Sequence, residues 1–395
     1  MNRDLLSRRL QQQGHTVSRA ENGRQALEMI AAEQFDLVLL DIMMPELDGY
    51  AVLERLRADR TLDRLPVIMI SAVTEIESVV RCIEIGATDY LPKPFNTVLL
   101  RARVGATLEK KRLRDRERLW AKSLERELEI GREIQQSFLP DELPQPAGWE
   151  IAATFHPARQ VAGDFYDAFP LAGGSRIGLV VADVCDKGVG AALFMALFRS
   201  LLRAFTERAF AGGDSAPDEG RLLSTVVSTN DYIARTHGRS NMFATAFVAV
   251  LDPATGSAVW VNAGHEAPVV GGPSRNPADR LEPTGPALGM MPDMTFRARQ
   301  TVLAPGETLF AFTDGVTDSR DPSGRFFTEE RLLELVSKGA PSAKALLDAV
   351  ETAVAAHAAG SEPSDDITML AVRATESVAG TGPSKALHPP QSRER

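Results

Sequence analysis

Four aspartates of this chain stand where strand-like runs give out. Asp164 lies in Val161-Ala162-Gly163-Asp164-Phe165-Tyr166-Asp167 and Asp183 in Ala182-Asp183-Val184. Asp314 lies in Phe312-Thr313-Asp314-Gly315-Val316 and Asp365 in Ser364-Asp365-Asp366-Ile367-Thr368. A carboxylate at a strand end is fixed by its sheet yet open to solvent. That placement suits a hard cation, which takes oxygen ligands. Taken singly, each is also an ordinary turn aspartate. Brought together without cations, four carboxylates would repel and raise one another's pKa. Bound divalent metal is the economical remedy. An all-oxygen set without His or Cys selects Mg2+ or Mn2+ over Zn2+. Two such ions can generate a hydroxide and clamp a phosphoryl group during in-line attack. No nucleophilic Ser/His/Asp arrangement is evident, so direct attack by metal-bound water is the expected chemistry.

Other side chains near these motifs have weaker claims. Arg159 is a phosphate-binding candidate through its bidentate fork, with a structural ion pair as the alternative. Lys187 ranks below it. Asp366 is second to Asp365, and Asp167 is expected to support rather than ligate. His265, in Asn262-Ala263-Gly264-His265, is expected to stabilise a turn rather than act as a general acid. Cys185 is expected to pack.

A second constellation comes earlier: Asp41, Ser71 and Lys93 close three apolar runs. A carboxylate, a hydroxyl and an ammonium converging there would suit a phosphorylated aspartate. Three unrelated loop residues would show the same spacing.

The elements that must position these residues alternate over residues 1–95. Helical patterns at 5–12, 22–32, 48–58 and 74–85 separate strands at Thr16–Arg19, 35–41, 65–71 and 89–91, giving an open α/β sheet with ligands beyond the carboxyl strand ends. Residues 96–139 read as one long helical connector. Sixteen of the 25 residues from Glu109 to Glu133 are charged, as suits a solvated helix. Leu113, Trp120, Leu124, Leu128, Ile134 and Phe138 form an approximate heptad stripe, so a two-stranded coiled coil and a homodimer are expected. A single surface helix is the alternative. From 147 to 374, strands are expected at 149–155, 177–184, 243–251, 258–263, 267–270, 297–303, 308–313 and 367–372. Helices at 191–209 and 219–236, and two more within 327–357, complete an α+β layered sandwich. Residues 375–395 are expected to be a disordered tail.

Asp41-Ile42-Met43-Met44-Pro45, Ser71-Ala72, Gly86-Ala87-Thr88-Asp89-Tyr90 and Lys93-Pro94-Phe95 together resemble a response-regulator receiver domain. The resemblance implies phosphorylation of Asp41 by a cognate histidine kinase, with Ser71 and Lys93 as switch residues and Tyr90 as the switch aromatic. Receivers open on an apolar strand ending in a magnesium-holding acidic pair, which this sequence lacks. A start about 15–20 residues upstream, matching the usual βα unit, is the expected explanation, with a genuine loss of that strand, leaving a receiver that binds Mg2+ poorly, as the alternative; receiver Mg2+ would depend on that pair.

The later motifs resemble the PPM metal-dependent serine/threonine phosphatases of the sporulation-protein-E type. They run from Ile134-Gln135 and Leu139-Pro140 through Pro157-Ala158-Arg159, Gly163-Asp164, Ala182-Asp183-Val184, Lys187-Gly188, Met242-Phe243-Ala244-Thr245, Asn262-Ala263-Gly264-His265, Gly285-Pro286-Ala287-Leu288-Gly289 and Thr313-Asp314-Gly315 to Asp365-Asp366-Ile367-Thr368. The resemblance implies that Asp183 bridges two ions with help from the Val184 carbonyl, and that Asp164, Asp314 and Asp365 complete the sites. It implies a phosphorylated anti-sigma-factor antagonist as the substrate partner. Where the family usually has Ser-Gly, this chain has Cys185-Asp186. A catalytically weak signalling scaffold of the same fold is the alternative; a receiver-linked nucleotide cyclase is a more distant one.

The bulk properties agree. A net charge of −9 offers no general attraction to nucleic acid or anionic membrane. The apolar runs look too short for a membrane span, and no secretory signal opens the sequence. Cys82 and Cys185 form no metal spacing or disulfide framework. A cytoplasmic setting is expected.

Overall fold

The structure, a computed structural model, describes residues 3–72, 76–94, 96–212, 217–272, 275–361 and 363–375. Beyond residue 375 the expected tail lies outside the described residues, as do Phe95 and part of the 211–218 loop. The chain divides into two compact units, Met1–Arg126 and Glu127–Arg395.

The first unit carries helices α1 (Arg3–Gln12), α2 (Gly23–Ala32), α3 (Gly49–Ala58) and α4 (Ile76–Ile85), and the start of α5 (Thr97–Gln136). Strands β1 (Val38–Asp41), β2 (Val67–Ser71) and β3 (Asp89–Pro92) form a parallel sheet in the order β1-β2-β3. The central strand is buried at all five positions. Its alternate residues enter two cores, Val67 and Met69 in one, Ile68 and Ile70 in the other. Helices on both faces therefore explain its unbroken apolar run. Asn22 and Asp48 start their helices by accepting from Gln25 N and Ala51 N. Residues 15–20 form no strand, correcting the expectation at Thr16–Arg19. Such a short pattern makes a strand only when a neighbour supplies its ladder, and none of the described strands pairs there.

The second unit contains the end of α5 and two five-stranded antiparallel sheets. Its strands are β4 (Trp149–His156), β5 (Phe165–Leu171), β6 (Arg176–Val184), β7 (Ala244–Leu251), β8 (Ser257–Ala263), β9 (Val269–Gly272), β10 (Arg275–Arg280), β11 (Arg299–Val302), β12 (Thr308–Phe312) and β13 (Ile367–Ala374). The sheet orders are β10-β9-β12-β13-β4 and β11-β8-β7-β6-β5. Helices α6 (Val189–Phe210) and α7 (Asp218–His237) cover the second sheet; α8 (Glu329–Lys338) and α9 (Ala343–Ala358) cover the first. Between the sheets lie Ile151, Leu179, Val181, Phe247, Leu309, Ala311, Leu370 and Val372. The result is the layered sandwich expected from the strand and helix pattern.

Two strands escaped the sequence reading, β5 and β10. Each contains a proline and each lies at a sheet edge, where a missing N–H costs no ladder bond. Among the described residues, α6 alone is long and apolar enough, by length and composition, to cross a membrane, which corrects the expectation that every apolar run falls short. Its Ala191, Met195, Phe198, Leu202 and Phe210 are buried in the domain core.

Candidate metal centre

Strand parity brings the aspartates to one end of the sandwich. Along β6, Val180, Ala182 and Val184 face the α6 side, while Leu179 and Val181 face the opposite sheet. Asp183 therefore continues the inter-sheet row at the strand's end. It pairs in register with Thr245 of β7. On the other sheet, Leu309 and Ala311 point between the sheets and Phe310 and Phe312 away, so Thr313 follows the inter-sheet row. The backbone N–H of Thr313 donates to the Thr368 carbonyl at 3.0 Å, which ties the turn bearing Asp314 to the one bearing Asp365 and Asp366.

Asp164 is 2% exposed. The Thr313 hydroxyl donates to it at 2.6 Å, and the Thr368 N–H donates to that same hydroxyl oxygen at 3.0 Å. Burial and the neighbouring Asp183 charge raise the Asp164 pKa well above the ordinary range. Burial, then the Asp314 carboxylate, push Asp183 up to about 7. Asp314 is raised as well, by burial and then by Asp365. Three carboxylates that resist ionising together have the electrostatics a divalent cation would relieve.

Backbone geometry fits a cation too. A Cβ on Gly163 would lie 2.7 Å from the Val184 carbonyl oxygen and 3.5 Å from Asp183 Oδ1. Glycine here leaves the carbonyl and the carboxylate reachable from one side. Among the described residues, no three His, Cys, Asp or Glu side chains already converge as a metal site. Two of the four aspartates are drawn elsewhere: Asp164 to Thr313, and Asp365 to Lys187, whose ammonium donates to it at 2.7 Å and to the Ser364 carbonyl at 2.8 Å. Lys187 thus supplies positive charge at the Asp365 carboxylate. The all-oxygen donor chemistry fits Mg2+ or Mn2+.

Asp366 has a separate task. Its Oδ1 accepts from Ala158 N at 2.8 Å and its Oδ2 from Gly163 N at 2.9 Å. It clasps the loop from 158 to 163 rather than facing Asp365's partners. Arg159, on that loop, is exposed. Asp167 is 1% exposed and pairs with Arg199 at 3.0 Å and Arg203 at 3.4 Å, joining β5 to α6. Cys185 Sγ accepts from Phe243 N at 3.2 Å. Asp186 has φ +74°, in the left-handed region where glycine is favoured. That backbone demand suits the glycine that the resemblance implies at this position. Asp186→Gly is expected to stabilise the fold by up to about 1 kcal/mol, read as a higher urea midpoint; a lower midpoint would count against the strain argument.

His265 is buried beside Thr245, with its Nδ1 2.8 Å from that hydroxyl, and its backbone N–H donates to Asn262 Oδ1 at 2.8 Å. Burial lowers its pKa to about 4, against a weaker opposing pull from the Phe312 backbone. The neutral ring is the stable folded form. Its stabilising contribution is complete above pH 6.5, the ordinary value, and is lost as pH falls through that value toward 4. The loss would approach roughly 3 kcal/mol. The stability advantage of wild type over His265→Gln is therefore expected to shrink between pH 7 and 4.5 in urea titrations; a constant gap would show that the imidazole does not titrate there.

In the first unit, Asp41, Ser71 and Lys93 meet at the carboxyl ends of β1, β2 and β3. Lys93 Nζ donates to Asp41 Oδ2 at 2.5 Å, and Lys93 N to the Ser71 carbonyl at 2.6 Å. Ser71 is fully buried, and Tyr90 is 9% exposed. The ammonium of Lys93 is thus held against the Asp41 carboxylate.

A parallel sheet with Asp41 at its carboxyl edge, and a helix-flanked double sheet with aspartates at one end, define a receiver coupled to a PP2C-like domain. The chain belongs to the Stage II sporulation protein E (SpoIIE) family, whose model matches residues 173–375, and the response regulator receiver domain model matches residues 1–105. Asp183, Asp314 and Asp365 fall inside the first match, and Asp164 precedes it. The chain is 46% identical over 262 residues to Protein IcfG of Synechocystis, covering 62% of this chain and 41% of that protein. It is 28% identical over 212 residues to Phosphoserine phosphatase RsbU of Bacillus subtilis, covering 54% and 59% respectively. The SiaA-PP2C domain of Pseudomonas aeruginosa superposes with a TM-score of 0.54 at 21% identity, over 64% of this chain and 98% of that domain; the likeness is one of fold. The chain spans about half the length of the curated relatives it matches.

Proposed function

We propose that the chain is a receiver-controlled, metal-dependent phosphatase that removes phosphate from serine or threonine of a partner protein. The observation that carries the proposal is the chain of interacting carboxylates, Asp164 with Asp183, Asp183 with Asp314 and Asp314 with Asp365, whose pKa values burial and then these neighbours raise. Similarity to a phosphoserine phosphatase supports the substrate class. Asp183 and the Val184 carbonyl would hold both ions, and Asp164, Asp314 and Asp365 would complete them. Bound there, Mn2+ or Mg2+ supplies a hydroxide nucleophile at neutral pH and neutralises phosphoryl charge.

The chain's own groups do the rest. Arg159, projecting from a loop clasped by Asp366, offers a bidentate fork for the substrate phosphate. Thr313 orients the Asp164 carboxylate. Lys187 would give up Asp365 to a cation at little cost, because both side chains are substantially exposed, 41% and 35%. The partner is a phosphorylated anti-sigma-factor antagonist, a histidine kinase phosphorylates Asp41, and the setting is cytoplasmic. In the presence of Mn2+, purified chain should hydrolyse phosphoserine and phosphothreonine proteins and leave phosphotyrosine intact, and Asp314→Asn should retain the phosphorylated partner. Failure to release phosphate from any of these substrates would favour a scaffold of the same fold.

The connector supports pairing of two copies. Leu113, Trp120, Leu124 and Ile134 are 53%, 76%, 58% and 56% exposed along α5, an apolar stripe that a second helix would cover. Light scattering should give a dimer for wild type and a monomer for Trp120→Glu/Leu124→Glu; a wild type of monomer mass would contradict the pairing.

A further inference from the structure

The last turn of α5 is bonded directly to the loop that ends in Asp164. Gln135 Nε2 donates to the Ala162 carbonyl at 2.7 Å, and the Ala162 N–H donates to Gln135 Oε1 at 2.9 Å. Gln135 is 5% exposed and Ala162 fully buried. A carboxamide at such a position is tolerated only when its donor and acceptor edges are both used, and both are spent on one residue. That residue lies two positions before Asp164. From the other side, Asp366 grips Gly163 N and Ala158 N. The loop from 158 to 163 is therefore held between the end of α5 and the start of β13.

Little slack exists around this clamp. Gly163 lies against the Val184 carbonyl, where even a Cβ would intrude at 2.7 Å. A Cβ on Gly131, one turn earlier in α5, would meet Val161 Cγ1 at 3.7 Å, an ordinary contact distance. Just past the helix, Leu139 packs against the core under α6 and α7. The helix end, the loop and the Val184 carbonyl thus follow one another in direct contact.

We infer that Gln135 is a positioning residue for Asp164, so that the end of the connector helix is part of the metal centre's scaffold and its placement sets metal affinity. The inference rests on the metal-site reading above. It reaches beyond that reading by naming the contact through which a shift of α5 would be felt at a ligand. Outer partners that orient metal ligands commonly change affinity by about 10–100-fold when lost.

The test is isothermal titration of Mn2+ into chelator-stripped full chain, with wild type, Gln135→Met, Gln135→Glu and the exposed neighbour Gln136→Met compared. Gln135→Met keeps the bulk and loses both hydrogen bonds; Gln135→Glu keeps the acceptor and sets a carboxylate against the Ala162 carbonyl. Both should weaken Mn2+ binding by about tenfold or more, with the Mn2+ concentration for half-maximal phosphatase activity shifted in step. At saturating Mn2+, substrate KM should be unchanged. Gln136→Met should match wild type. A purely structural role would lower the thermal midpoint and leave Mn2+ affinity where it was. Affinities within twofold of wild type overturn the inference, and if Gln135→Met fails to fold, Gln135→Glu decides alone. A wild type that binds no Mn2+ overturns the metal-site reading, and this inference with it.

Discussion

Asp183→Asn is expected to abolish phosphoester hydrolysis, by at least about 10^3-fold or about 4 kcal/mol of transition-state stabilisation, while leaving the chain folded. Asp183 lies one residue before the end of β6, on the inter-sheet row, and would help hold both ions of the proposed site. Asparagine keeps the shape and removes the charge that would hold cations. Stability should move the opposite way when metal is removed by chelation. The Asp183 pKa of about 7 lies above the ordinary 3.8, so the folded state favours the protonated acid. Its stabilising contribution is complete below pH 3.8 and is lost as pH rises through about 7. Chelated wild type should therefore lose stability between those limits, by a few kcal/mol at most. Asp183→Asn should lose less. The two readouts separate a catalytic role from a folding role: an inactive variant no less stable than chelated wild type at pH 8 supports the assignment, and an active variant removes it.

Gly315→Ala is expected to be the most disruptive single methyl in the second unit. A Cβ there would overlap the Asp366 carbonyl oxygen well inside contact distance, and backbone has no rotamer with which to retreat. The cost should be about 3 kcal/mol or more. The strain would fall on the two turns that carry Asp314 and Asp365, so Mn2+ affinity should fall with stability. Gly190→Ala is the control, because nothing lies within 4 Å of a Cβ at that helical position. Urea unfolding should separate the two variants clearly; equal midpoints would show that the turns slide apart easily.

Much of the fold is legible because burial leaves periodic marks. The Val67–Ile70 run declares a strand covered on both faces, and the alternation along Ile177–Val184 declares a strand between a helix layer and a sheet. The strand-end aspartates are legible as chemistry because so many acids gathered without His or Cys suggest cations. Other features depend on contacts no local pattern records. Phe165–Leu171 and Arg275–Arg280 each contain proline, and only their edge positions make that proline harmless. Thr16–Arg19 carries a strand's pattern without a described neighbour to pair with. Asp365 and Asp366 are adjacent acids in sequence. Only the folded chain shows one facing Lys187 and the other clasping Ala158 and Gly163. Gln135 carries no chemical signature of its own; its task arises from Ala162, which lies 27 residues away in sequence.

The most direct test of the central claim is phosphate release from a phosphoserine protein by full-length chain that has been stripped with chelator and then given Mn2+. Stripped protein should be inactive, Mn2+ should restore hydrolysis in wild type, and neither Asp183→Asn nor Asp314→Asn should recover at the same Mn2+ concentration. Hydrolysis that survives chelation, or that returns equally in both variants, would contradict a phosphatase centre built on these aspartates.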